Sequence, residues 1–129
     1  MKYLMLVYSN PQNWAHPTFL YQEGVSDADR EQMLAQFEDL LSELSESGEL
    51  VTGMPLRDPA ETRAVRVRDG VPLTTDGPFA EIKEHLAGYF VFDCASMERA
   101  TEIAARFPDA RFGQVVVHPI DESLASAGP

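Results

Sequence analysis

Asp76-Gly77-Pro78-Phe79-Ala80-Glu81-Ile82-Lys83-Glu84-His85-Leu86-Ala87-Gly88-Tyr89-Phe90-Val91-Phe92-Asp93 joins a turn, a charged cluster and an apolar strand in one stretch. Gly77 tolerates backbone angles closed to other residues, and Pro78 fixes its own φ while restricting Gly77. The Asp76 carboxylate is placed to accept N–H groups just beyond it, so a stiff turn is expected. After Glu81, Lys83, Glu84 and His85, the run Leu86 to Phe92 reads as a buried strand.

Upstream, Val65 and Val67 alternate with Arg66 and Arg68 before Asp69-Gly70, a strong hairpin signal, and Val71 to Thr75 forms the returning arm. Downstream, Ser96 opens a helix with Met97, Ala100, Ile103, Ala104 and Phe107 on one face, and Pro108 stops it. Phe112 to His118 is the final strand and residues 121–129 a polar tail.

At the start, Lys2 to Tyr8 is apolar at both parities, the pattern of a strand covered on both faces. Residues 9–25 form a long connection carrying Trp14, His16, Phe19 and Tyr21, expected either to fold over a cavity mouth or to plug an end of the core. Ser26 caps a helix whose Met33, Phe37, Leu40, Leu41 and Leu44 recur at helical spacing until Gly48, and Glu49 to Leu56 is a second strand. The order predicts an α+β domain: a ferredoxin-like βαββαβ unit with one inserted β-hairpin. Both helices then cover one sheet face. The other is too apolar for water, which predicts a homodimer joined through the sheets.

The 129 residues form one domain, large enough to bury ~65–70% of the unfolded surface. With 10 basic and 21 acidic residues, the net charge of −11 disfavours direct binding to nucleic acid or an anionic membrane. Cys94 is the single cysteine, so no internal disulfide forms, and a small buried thiol in a reducing compartment is expected. The apolar run at the N-terminus is too short for a signal peptide or a membrane span, and a cytoplasmic location is expected.

Chemistry is expected near Asp76. Glu81, Lys83 and His85 share one face if extended, while Glu81 and His85 pair if helical. Asp76 or Glu81 would move a proton to and from carbon while Lys83 steadies an oxyanion. That is a cofactor-independent lyase, isomerase or dehalogenase-like enzyme acting on a small organic acid, lactone or aromatic. The competing structural reading makes Asp76 a turn cap and Glu81, Lys83 and Glu84 wet ion pairs. A third reading is a binding protein without turnover, in which the aromatic loop and the hairpin Arg66 and Arg68 hold an anionic ligand; Tyr8, Trp14, His16, Phe79 and Arg66 are the ligand-facing residues expected. No metal motif, no G-x-S-x-G elbow and no glycine-rich phosphate loop is present, so neither metal nor cofactor is expected.

D-G-P-F-A-E-x-K-E-x-L-x-G-Y with its apolar strand, together with Met1 to Tyr8 and Val115 to Ile120, resembles the DGPF branch of the YCII-related family. The resemblance implies a dimeric α/β barrel of mostly unassigned chemistry. It also implies a link to sigma factors, and hence an accessory or ligand-sensing role in transcription initiation. The wider family is taken as enzymatic on a histidine near the start of the first helix and an aspartate after the second. Here that helix opens Ser26-Asp27-Ala28-Asp29-Arg30, and Phe107-Pro108-Asp109 matches the acidic position only loosely. The pair is therefore not carried over, although His16 is the loop residue that would substitute.

Overall fold

The computed structural model describes residues 1–79 and 82–125 of the chain. Strands β1 (Lys2–Ser9), β2 (Leu50–Pro55), β5 (His85–Asp93) and β6 (Gln114–Pro119) form an antiparallel sheet in the order β2-β5-β1-β6. Helices α1 (Asp27–Glu46) and α2 (Met97–Ala105) supply the helical layer, and β3 (Arg63–Arg68) and β4 (Val71–Asp76) form a separate two-stranded sheet. The fold is α+β, and the sheet does not close into a barrel among the described residues.

The pleat of β1 sorts its side chains. Tyr3, Met5, Val7 and Ser9 are buried, while Leu4, Leu6 and Tyr8 on the other parity are only half-buried. Tyr3 and Met5 join Leu40 and Leu44 of α1, Phe92 of β5, and Ala100, Ile103 and Phe107 in one core. Phe37, Phe90, Phe92 and Phe107 meet within it, with ring centroids 5.0–6.4 Å apart. Gly53 leaves room for this cluster: a Cβ there would meet the Phe90 ring.

The local signals act as read. Ser26 Oγ accepts from Asp29 N at 3.1 Å, Ser96 Oγ from Arg99 N at 3.1 Å, and Gly48 lies just beyond α1 with φ of 79°. Asp69 and Gly70 both take positive φ, 52° and 76°, as a two-residue hairpin turn twisted with its strands requires.

Three expectations need correction. The last strand starts at Gln114 because residues 108–111 form a 3-10 turn whose Asp109 carbonyl accepts from Phe112 N and Gly113 N. The tail is not wholly irregular: Glu122–Ala125 is a short helix, α3, with Asp121 Oδ1 accepting from Ser123 N at 3.1 Å. At the DGPF turn the Asp76 carboxylate accepts from Arg63 Nε at 2.8 Å, while Gly77 N donates to Thr62 O at 2.8 Å. The hairpin base is thus closed across the strands rather than by a cap on Asp76.

Glu49, just before β2, takes Arg99 of α2 in a two-pronged contact, Nε and Nη2 each 2.9 Å from a carboxylate oxygen. Arg99 holds the Glu49 carboxyl below its usual range. This stabilisation is present above the ordinary glutamate value and is lost as pH falls through the lowered one. Glu49→Gln should cost roughly 1.5–3 kcal/mol at pH 7, with a penalty that shrinks towards pH 3. Urea titrations at the two pH values check this, and an equal cost at both would rule out the ionic contribution.

Candidate functional site

Two cavities lie at the end of β2: Leu56, the residue that follows it, lines the outer one and Pro55 the inner one. The cause is a bulge. Between Val7 and Tyr8 the β1–β5 register skips Ala87, whose carbonyl then accepts from Leu56 N at 2.9 Å. The Leu56 carbonyl in turn receives Trp14 Nε1 at 3.0 Å and His16 Nε2 at 2.6 Å from the long connection. A carbonyl only accepts, so His16 Nε2 carries a hydrogen and Nδ1 is left to accept or release a proton.

The connection is an ordered wall. Gln22 Nε2 donates to Ser9 Oγ at 3.0 Å and to Thr18 O at 3.2 Å, and Arg30 Nε donates to Leu20 O at 2.9 Å. Phe19 is buried against Phe37, ring centroids 5.3 Å apart. Phe19 fills the core while Trp14 and Tyr21, expected to plug it as well, are only half-buried, and His16, Pro17 and Thr18 border a cavity.

That inner cavity holds about 350 Å³ and lies between the connection, α1, the end of β2 and the start of β5. Its walls are mainly apolar, with Phe19, Phe37, Leu41, Met54 and Phe90, and it also holds His16, Thr18 and Asp109. Asp109 is 6% exposed, and its Oδ1 accepts from Thr18 Oγ at 3.0 Å across 91 residues of sequence. Burial pushes the Asp109 carboxyl up, against the smaller downward pulls of the Thr18 hydrogen bond and the charge of His16. A carboxyl that keeps its proton longer and the imidazole of the exposed His16 thus line one mainly apolar cavity. The sequence gives one signal for it: an aspartate directly after Phe107-Pro108, where the end of α2 must turn back onto the sheet.

The outer cleft is larger, about 850 Å³, and lies between the hairpin base, the DGPF turn and the bulged end of β5. Tyr8, Phe79, Ile82 and Leu86 give it apolar surface, and Arg57, Arg63, Glu84 and His85 also line it.

The residues singled out from sequence are divided among these places. Tyr8 and Phe79 line the outer cleft, His16 lines the inner one, and Trp14 packs edge-on against His16 at 5.9 Å. Arg66 sits with its guanidinium 6.0 Å from the Phe79 ring centre and lines neither cavity. Asp76, 74% exposed, pairs with Arg63 and lines neither cavity; nor does the exposed Lys83. Glu81 lies outside the described residues. Glu84 is not in a wet ion pair, since its Oε2 is buried without a hydrogen-bond partner. Cys94 is buried, and burial raises its thiol. Among the described residues no group of three or more His, Cys, Asp or Glu is arranged to hold a metal ion, and no helix is long and apolar enough to cross a membrane.

An uncharacterized protein of Rhizobium meliloti (strain 1021) is 34% identical over 77 residues, 58% of this chain. The shared segment spans 62% of that relative, less than two thirds of its length. Residues 1–123 match the YCII-related domain, which takes in every strand and both long helices. The chain belongs to the YCII-related domain family.

Proposed function

We propose that the inner cavity performs cofactor-independent acid–base chemistry on a small, largely apolar carbonyl compound. The buried Asp109 carboxyl, bonded to Thr18 in a chamber shared with His16, carries this reading. The apolar walls hold the body of the substrate. The Asp109 carboxylate takes a proton from the carbon beside the carbonyl, and the electron pair moves onto the carbonyl oxygen. His16, as imidazolium, gives that oxygen a proton, and the reverse steps return a solvent proton to carbon. A raised carboxyl suits this role because a base works best when its pKa approaches the working pH. Incubation with small ketones and lactones in D2O, followed by proton NMR, tests it. Deuterium should enter beside the carbonyl with the wild type and at the background rate with His16→Ala. Equal labelling by both proteins would sink the reading.

The finer architecture belongs to the same proposal. The four-stranded sheet is a ferredoxin-like unit of the DGPF branch carrying β3–β4 as its insertion, and two copies join through the open face. Leu4, Leu6 and Tyr8 of β1 stand there beside Tyr89 and Val91 of β5 and Val116 of β6, by strand register. Helices α1 and α2 pack on the opposite parity, against Tyr3 and Met5. Light scattering at micromolar concentration should give twice the chain mass, and Leu6→Arg should halve it. A wild-type monomer would contradict the proposal.

A further inference from the structure

Strands β3 and β4 pair only with each other, and every residue of both is exposed, Val65, Val67, Val71 and Leu73 each by more than half. Two strands alone are marginal in water and gain from a third. The ladder shows which edge is open to it. Gly77 N donates to Thr62 O, so the bonded pairs alternate from there as Ala64 with Thr75, Arg66 with Leu73 and Arg68 with Val71. The backbone groups of Arg63, Val65 and Val67 therefore point away from β4. Among the described residues they have no partner apart from the Val67 carbonyl, which accepts from Arg68 Nη1 at 2.9 Å. On the far edge of β4, Pro72 stands opposite Val67 and has no N–H to offer.

Charge selects the third strand. Arg66 and Arg68 share one face of the hairpin with Leu73 and Val71, and no carboxylate of either strand lies on that face. Arg63 is paired with Asp76, whereas Arg66 and Arg68 make no ion pair among the described residues. A second β3 would set more arginines beside these, and like charges on neighbouring strands oppose pairing. We propose that the outer edge of β3 takes an extended acidic segment of another protein as a third strand. Its aspartates or glutamates stand at alternate positions beside Arg66 and Arg68, and the apolar residues between them lie beside Val65 and Val67. The proposal stands apart from the acid–base reading, which concerns the inner cavity.

Short labelled peptides test it by fluorescence anisotropy at physiological ionic strength, where a screening length of about 8 Å shields the hairpin from the acidic remainder of the chain. One alternates valine and glutamate, one alternates valine and lysine, and one has the first composition arranged in two blocks. The alternating glutamate peptide should bind roughly tenfold more tightly than the other two, since it alone sets carboxylates beside both arginines with apolar residues between. Arg66→Glu with Arg68→Glu, which leaves the backbone edge intact, should transfer the preference to the lysine peptide. Val65→Pro removes an outward N–H that β4 does not use, and should weaken the glutamate peptide while the circular dichroism stays that of the wild type. Equal affinity for the three peptides, binding of none, or a glutamate preference that survives the charge reversal would overturn the proposal. So would self-association of the wild type that Val65→Pro abolishes, because the edge would then belong to a second copy.

Discussion

Asp109→Asn should lower carbonyl-directed deuterium exchange by about 10²–10⁴-fold, the usual contribution of a positioned general base, without unfolding the protein. The two effects separate because asparagine keeps an oxygen to accept from Thr18 Oγ and loses only the titrating group. Its stability effect has a definite sign. The Asp109 carboxyl is raised in the folded state, so the native protein binds the proton more tightly than the unfolded chain. That contribution is full below the ordinary aspartate value of ~3.9 and is lost as pH rises through the raised value. Above that point the wild type carries a buried charge that the variant lacks. Asp109→Asn should therefore melt no lower than the wild type at pH 7, and lose its advantage as pH falls. A variant that is inactive and also much less stable at pH 7 would make Asp109 a structural group.

The second large effect lies in the core. Phe107→Ala should cost about 3–5 kcal/mol, because the ring is 1% exposed and touches Phe37, Phe90 and Phe92. Phe107 also fixes the approach to Asp109. It precedes the 3-10 turn, and Ala110 N donates to its carbonyl at 3.0 Å. For a domain of this size the loss corresponds to roughly 10–20 °C in melting temperature. Phe112→Ala, at a partly exposed ring, should cost under about 1 kcal/mol. Calorimetry of the two variants decides the matter; similar losses would mean that the aromatic cluster does not organise the core.

The contrast between local and distant interactions explains what the sequence made legible. Hairpin, caps and helix stops rest on neighbours: Asp69 with Gly70, Ser26 with Asp29, Ser96 with Arg99. Which parity of β1 the helices cover was not readable, because Lys2 to Tyr8 is apolar at both; the pleat buries Tyr3, Met5 and Val7. The inner site was not, because it needs Thr18 and Asp109 to meet across most of the chain. His16 was legible as a loop histidine, but not the Leu56 carbonyl that holds it, 40 residues away in sequence. Around Asp76 the residue types were suggestive, but strand pairing gives its carboxylate to Arg63, and no rule of spacing distinguishes that partner from Lys83. Glu84 looked like a solvated charge, yet its Oε2 is buried.

Carbon-13 NMR titration of the Asp109 side-chain carboxyl, in the wild type and in His16→Ala, tests the central claim most directly. A buried acid sharing its cavity with His16 predicts a midpoint above the ordinary aspartate value, and a higher one still when the imidazole charge is removed. A midpoint at or below the ordinary value, or one indifferent to His16, would contradict it.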